Sequence, residues 1–469
     1  MAIAVALVVS AATSARAGEG VQVWLTTPDR QHLLEAQAPV SFGVASPYEP
    51  QIMVDPSRRF QPMVGFGAAM TDASAQVMTR NLTPDQRTAL LRELFGPDGL
   101  NLQFTRLTIG ASDFSSRHYS LDDMPKGKTD PDLQHFSLAP VLDEVAPLLR
   151  EARRINPRLI LMASPWSAPG WMKTTDSLIT GHLRPDAYPA FADYLVRYVR
   201  QMDAAGLPIR YLSLQNEPGF EPTDYPGMRV DPAERAAFIG GHLGPRLRAA
   251  SPTTEILDFD HNWDEPNSPL AVLSDPVASP FVSGVAWHCY KGEVSAQGPV
   301  HQARPDKDAF LTECSGGAWA KDFGPTFDWM LGNLVIGSTR GWSRGVLLWN
   351  LALDEHYGPH LGGCGDCRGV VTINSQTGAV TRNIEYYVLG HASRFVRAGA
   401  ERIASDTGAA DLANVAFRNA DDGSIVLIVL NSGKNTRRFT VAAEGRTFQY
   451  ALPAGAAVTL IWAGSALNR

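Results

Sequence analysis

IRYLSLQNEP, residues 209–218, reads as a short apolar strand that stops on a carboxylate. Ile209, Tyr211, Leu212 and Leu214 suit a buried strand, and Pro218 lacks the amide hydrogen needed to continue a sheet. The run AFLTECSG (309–316) ends in the same manner on Glu313. A carboxylate that closes an apolar run is costly to bury unless it is hydrogen-bonded or put to use.

Working outward, six further runs have this form: MVGFGAAMTD (63–72), LQFTRLTIG (102–110), RLILMASPW (158–166), EILDFDHNW (255–263), VSGVAWHCY (282–290) and GVLLWNLAL (345–353). Between the runs lie longer stretches such as LAPVLDEVAPLLREARRI (138–155) and YPAFADYLVRYVRQMDAAG (188–206), whose apolar residues recur at helical spacing. Strands alternating with helices imply a parallel sheet, and eight such units close into a (β/α)₈ barrel of the α/β class. In that fold the chemistry lies at the C-terminal strand ends. Glu217 falls on the fourth strand and Glu313 on the seventh.

The rest of the chain reads differently. Beyond about residue 400, short β-rich runs are broken by DDG, NSGKN and PAG turn signals, as in a β-sandwich. VQVWLTT and VSFGVA near the start also alternate like strands, and a barrel has no place for them. The expected organisation is a signal peptide over 1–17, sandwich strands over 21–58, the barrel over 59–390 and the remainder of the sandwich over 391–469. The leader rests on an apolar run followed by Ala15-Arg16-Ala17, although no Lys or Arg precedes that run. Export is the corresponding expectation, secreted or periplasmic.

Composition excludes more than it assigns. A formal charge of −7, with no basic stripe, argues against a nucleic-acid partner. No segment after the leader has the uninterrupted apolar length of a membrane span, and no protein partner is expected. Four cysteines are too few for a disulfide scaffold. Cys364 and Cys367, in GGCGDCRG, are spaced for a small loop disulfide, and a zinc site would need two more ligands that the spacing does not supply. Cys289 and Cys314 end apolar strands and read as buried thiols. His261 and His288 do not cluster with acids at ligand spacing in the sequence, so no metal site and no cofactor are expected.

Two carboxyls at the mouth of one barrel are what glycosidic bond hydrolysis requires, one as proton donor and one as nucleophile. On this reading Glu313 attacks the anomeric carbon and Glu217 is acid, then base. Asn216 is placed for the sugar 2-hydroxyl. Arg106, inside the second strand, needs a buried partner, and Glu313 would be kept ionised by it. Tyr290 is within reach of the same carboxylate from the sixth strand. Trp166 and Trp349 offer indole faces to a sugar ring. Asp72, after GAAMT, reads equally well as a helix-capping residue.

At these residues the chain resembles glycoside hydrolase family 30, which includes glucosylceramide hydrolases and endo-β-1,6-glucanases. The stretches that carry the resemblance are GFGAAMTDASA, RLTIGASDFSSRHYSLDD, ASPWSAPGWMKTT, NEP, WHCY, TECSGG and WNLALDEHYGP, in family order over about 60–390. The resemblance implies a barrel with a sandwich built from both chain ends, Glu217 as acid/base and Glu313 as nucleophile. It further implies glucose contacts from Asp113, Trp166, Asn216 and Trp349, and support of the nucleophile by Arg106 and Tyr290. After WNLALDEHYGP this chain continues HLGGCGDCRGVVTIN, a Cys-containing loop more like the β-1,6-glucanase branch than the lysosomal one. The expected substrate is a β-glucoside, carbohydrate or glycolipid.

Overall fold

A computed structural model describes residues 20–43, 49–406 and 408–465. The leader expected over 1–17 lies outside the described residues. Three strands precede the barrel: β1 (Gly20–Thr26), β2 (Glu35–Ser41) and β3 (Gln51–Pro62). The barrel strands follow as β4 (Gly65–Ala69), β5 (Phe104–Ile109), β6 (Ile160–Pro165), β7 (Ile209–Ser213), β8 (Glu255–Asn262), β9 (Val282–His288), β10 (Asp308–Glu313) and β11 (Ser343–Asn350). Six more complete the sandwich: β12 (Glu401–Ser405), β13 (Leu412–Arg418), β14 (Ile425–Asn431), β15 (Arg437–Ala443), β16 (Arg446–Leu452) and β17 (Ala457–Trp462).

β4 to β11 pair in chain order, all parallel, and β11 returns to β4 to close the ring. Pairing of β4 with β5 needs a close approach at Gly67, where any Cβ would lie 1.7 Å from the Phe104 carbonyl oxygen. Val64, Phe104, Met162, Tyr211, Leu257, Ala286, Phe310 and Leu347 fill the interior as one cluster, each from a barrel strand or its edge. This plug makes the barrel floor a packed core and leaves only the upper mouth for chemistry. The helical stretch 138–155 is two helices, Ala139–Glu144 and Ala146–Ile155. Pro147, without an amide hydrogen, stands at the first turn of the second.

The remaining nine strands form one sheet in the order β2-β1-β17-β14-β13-β12-β3-β15-β16. Val21 and Val23 of β1 share a core with Phe439, Val441 and Phe448 of β15 and β16, although those strands lie near opposite ends of that order. The sheet therefore folds over on itself, and the Gly43 amide donates to Thr447 O at 2.7 Å where its two edges meet. Both chain ends supply strands, β1 lying directly against β17.

His391, on the helix Ile384–Ser393, fastens barrel to sandwich. Its ring nitrogens lie 2.8 Å from Thr459 Oγ1 in β17 and 2.8 Å from Thr26 Oγ1 in β1. Complete burial pushes this imidazole down from 6.5 to about 3. The folded protein thus refuses a proton that the unfolded chain accepts below about pH 6.5, and stability falls as pH drops through that window. Each pH unit costs at most about 1.4 kcal/mol there, so up to roughly 3 kcal/mol is lost between pH 6.5 and 4.5. Urea unfolding of wild type and His391→Gln at pH 7.5 and 4.5 should show the wild-type advantage shrinking in acid. A difference independent of pH would refute the assignment.

Candidate active site

The upper ends of the barrel strands surround a cavity of about 460 Å³. Its walls include Asp113, Trp166, Asn216, Glu217, Tyr290, Glu313 and Trp349, seven of the eight residues singled out from the sequence. The eighth, Arg106, lies fully buried beneath them. A larger groove of about 610 Å³, along Pro131, Asp132, Arg197 and Arg200, shares no lining residue with that cavity.

Arg106 organises the floor. Its guanidinium donates to Glu313 Oε2, to Asn216 Oδ1 at 2.7 Å, to Asp260 Oδ2 at 2.7 Å and, through Nε, to Ser164 Oγ at 3.2 Å. It also lies 4.9 Å from the ring centre of Trp166 and 5.7 Å from that of Trp349, which stack on each other at 5.0 Å. A charge so deeply buried is tolerable only with this many partners. Tyr290 Oη donates to the other oxygen of Glu313, Oε1, at 2.8 Å, so both oxygens of this carboxylate are held. Burial, followed by the charges of Glu313 and Glu217, keeps the Tyr290 phenol well above its ordinary pKa and therefore a donor.

Asp260 was not singled out from the sequence, and β8 explains why. In a regular strand Asp258 and Asp260 would share a face. Phe259 and Asp260 both adopt positive φ, 81° and 53°, and the pairing with β9 slips there. This bulge sends Asp258 outward to Arg235 Nε at 2.9 Å and Asp260 inward to Arg106. Burial opposes the Asp260 charge, but Arg106, His288 and Thr312 outweigh it and hold the carboxyl far below the usual range.

His288 lies between two acids. Nε2 is 3.0 Å from Asp260 Oδ1 and Nδ1 is 3.1 Å from Glu217 Oε1. Burial disfavours the imidazolium, yet Glu313, Asp260 and Glu217 lift it to about 9. His261 Nδ1 stands 3.5 Å from the same Glu217 oxygen and has no hydrogen-bond partner among the described residues. Glu217 itself has φ 48° and is tied down by its amide, which donates to Asp260 O at 3.0 Å. Burial raises its carboxyl, but His261 and His288 more than compensate and bring it down to about 2. These histidines do meet an acid, contrary to expectation: they come from different strands, so linear spacing could not reveal the cluster.

Asp113 sits at the opposite wall. Burial, then the Glu313 charge, pushes its carboxyl up to about 8 against the Cys364 amide, which lowers it. This shift favours the protonated form, in which the carboxyl can both donate to and accept from a hydroxyl. The loop that carries Gly363 and Cys364 closes on it, with the Leu361 amide donating to Asp113 O at 2.7 Å. Asp72, whose sequence context allows two readings, is the first residue of the helix Asp72–Arg80, while the capping oxygen is that of Thr71. Asp72 accepts from Ser115 Oγ at 2.7 Å and Tyr119 Oη at 2.9 Å, away from the cavity.

Two disulfides frame the mouth. Cys364–Cys367 closes the loop as expected, and both residues line the cavity. Cys289–Cys314 corrects the reading of these two as free thiols. They follow His288 and Glu313 on neighbouring parallel strands, so one register brings their Cα atoms to 5.4 Å. Also missed were the exposed rim residues Phe220 and Trp319, which give no signal in the sequence beyond their residue type.

Comparison with known proteins agrees with this architecture. The glycosyl hydrolase family 30 TIM-barrel domain matches residues 63–396, and the glycosyl hydrolase family 30 beta sandwich domain matches residues 399–460. An endo-1,6-beta-D-glucanase of Neurospora crassa is 35% identical over 90% of this chain and 91% of its own length. The lysosomal acid glucosylceramidase of Mus musculus is 29% identical over 88% of this chain and 83% of its own. A solved endo-β-1,6-glucanase superposes with a TM-score of 0.89 at 32% identity, covering 96% of this chain and all of that one. With barrel, sandwich and paired carboxyls in place, the chain belongs to glycoside hydrolase family 30 and is a retaining glycoside hydrolase.

Proposed function

We propose that the protein is an endo-acting β-1,6-glucanase that works by double displacement. The observation that carries the reading is the convergence of Glu217, in the turn after β7, and Glu313, at the end of β10, on one cavity whose walls are indoles, an amide and a third carboxyl. Glu313 attacks the anomeric carbon, with Arg106 balancing its charge and Tyr290 fixing its second oxygen. Because the Asn216 carbonyl oxygen is occupied by Arg106, its amide hydrogens are left to donate to the sugar 2-hydroxyl. Trp166 and Trp349 give the ring an apolar wall, and Asp113 takes a remote hydroxyl.

Glu217 must carry a proton when the glycosidic oxygen departs. The hydrogen-bonded pair Glu217–His288 holds one between its members. A sugar that displaces water from the cavity favours the neutral form of that pair, with the proton on the carboxyl. After departure of the leaving group, Glu217 deprotonates the water that frees Glu313.

The choice of glucan rests on relatives: three fungal endo-1,6-β-D-glucanases lie at 33 to 35% identity, and glucosylceramidases at 27 to 30%. One observation favours a glycolipid as a second reading, the exposed apolar rim of Phe220 and Trp319. Digestion of a linear β-1,6-glucan, with products sized over time, separates the two. Early mixed oligosaccharides are expected. Glucose alone, or no product, would transfer the reading to an exo-acting pocket. Two disulfides fit an oxidising compartment, and we propose that residues 1–17 are an export leader.

A further inference from the structure

We infer that Glu217, His261 and His288 form a binding site for a divalent transition metal of the zinc or copper class, and that its occupancy reversibly blocks hydrolysis. The blocking half rests on the acid/base role proposed for Glu217, whereas the binding half rests on geometry alone. One ligand atom from each residue lies within 4.8 Å of the other two. The Glu217 Oε1 atom is 3.1 Å from His288 Nδ1 and 3.5 Å from His261 Nδ1. Ligands about 2.0–2.1 Å from a tetrahedral zinc ion are about 3.3 Å from each other, so two edges of the coordination triangle already have the required length.

Two details point to an ion at this spot. The first is His261 Nδ1, which is buried, faces the Glu217 oxygen and has no hydrogen-bond partner among the described residues. The second is the outer support of His288. Its Nε2 lies 3.0 Å from Asp260 Oδ1, which in turn accepts from Thr312 Oγ1 at 2.7 Å. A histidine anchored to a carboxylate through one nitrogen presents the other, correctly oriented, to a metal. Here the ion takes the position of the proton shared between His288 and Glu217.

The donor set is two imidazoles and one carboxylate, which suits zinc, copper, nickel or cobalt and is poor for calcium or magnesium. Glu217 is partly exposed and lines the cavity, so the fourth ligand is water or a hydroxyl arriving from that side. With its Oε1 on a metal, Glu217 can no longer carry the proton for the leaving group.

The test uses the full-length protein with zinc or cobalt as the only added ion. Calorimetry should give one zinc per chain, unaffected by excess magnesium and reversed by a chelator. Cobalt should develop the intense visible bands of four-coordinate geometry. Even loss of an outer partner weakens metal sites by about 10–100-fold, so His261→Ala and Glu217→Gln should each weaken binding by at least that factor. Binding that survives both substitutions, or cobalt with only weak octahedral bands, would overturn the site. Should the variants fold poorly, a zinc-soaked wild-type crystal decides: an anomalous peak between the three side chains supports the site, and its absence refutes it. Zinc seated there while an activated aryl glucoside is still turned over at the metal-free rate would overturn the blocking role.

Discussion

Glu313→Gln should leave a folded protein whose turnover of an aryl β-glucoside falls by at least about 10⁴-fold, roughly 5.4 kcal/mol of barrier. The amide is nearly isosteric, so packing against Tyr290 and Arg106 is largely kept. What disappears is the oxygen nucleophile and its negative charge. The intermediate glycosyl ester cannot form, and the developing positive charge at the anomeric carbon loses its partner. Arg106 is left with Asp260 as its remaining carboxylate, which predicts a modest loss of thermal stability beside the kinetic loss. Single-turnover kinetics with an aryl glucoside, read together with a melting curve, separate the two effects. Turnover near the wild-type rate would overturn the assignment of Glu313 as nucleophile.

Glu217→Gln should cost about 10²- to 10⁴-fold, and the cost should depend on the leaving group. A good leaving group such as dinitrophenolate needs no proton, so its first step is nearly spared and the glycosyl-enzyme accumulates as a burst. A β-1,6-linked glucose needs one, so the natural bond suffers the full loss. Water attack in the second step also lacks its base, and a small anionic nucleophile such as azide, which needs no deprotonation, should restore turnover and yield a glycosyl azide. An equal loss for every leaving group, with no azide rescue, would remove Glu217 from the acid/base role and leave it a positioning residue. The substitution also removes a negative charge beside His288, so the pH profile of the residual activity should change shape as well as height.

The eight barrel strands were legible because each is a short apolar run, buried on both faces of a parallel sheet and interrupted by helical periodicity. β7 ends at Ser213, short of the carboxylate, and Asn216 and Glu217 sit in the turn that follows. The run was readable even so, because Pro218 and the polar pair mark the departure from the sheet. Arg106 was legible as a buried charge needing a partner; that it holds Glu313, Asn216 and Asp260 together was not. The break within 138–155 was missed because apolar periodicity continues through Pro147 while the hydrogen bonding does not.

The sequence by itself determined what depends on local pattern and on residue type. Strand and helix periods define the barrel, turn signals define the sandwich, and a carboxylate ending an apolar run marks each of the two positions proposed to react. Only the tertiary structure decided what depends on relations between distant strands. The bulge at Phe259–Asp260 reverses the face of one aspartate, and no period of two in the sequence announces it. The register of β9 against β10 turns two presumed thiols into a disulfide. Pairing of β8 with β7 and β9 brings His261 and His288 onto Glu217 from separate strands. The physical reason is the same in each case: side-chain chemistry is encoded residue by residue, but a pKa, a hydrogen bond or a metal site belongs to atoms a few ångströms apart, and that proximity exists only once the neighbouring strands have paired in register.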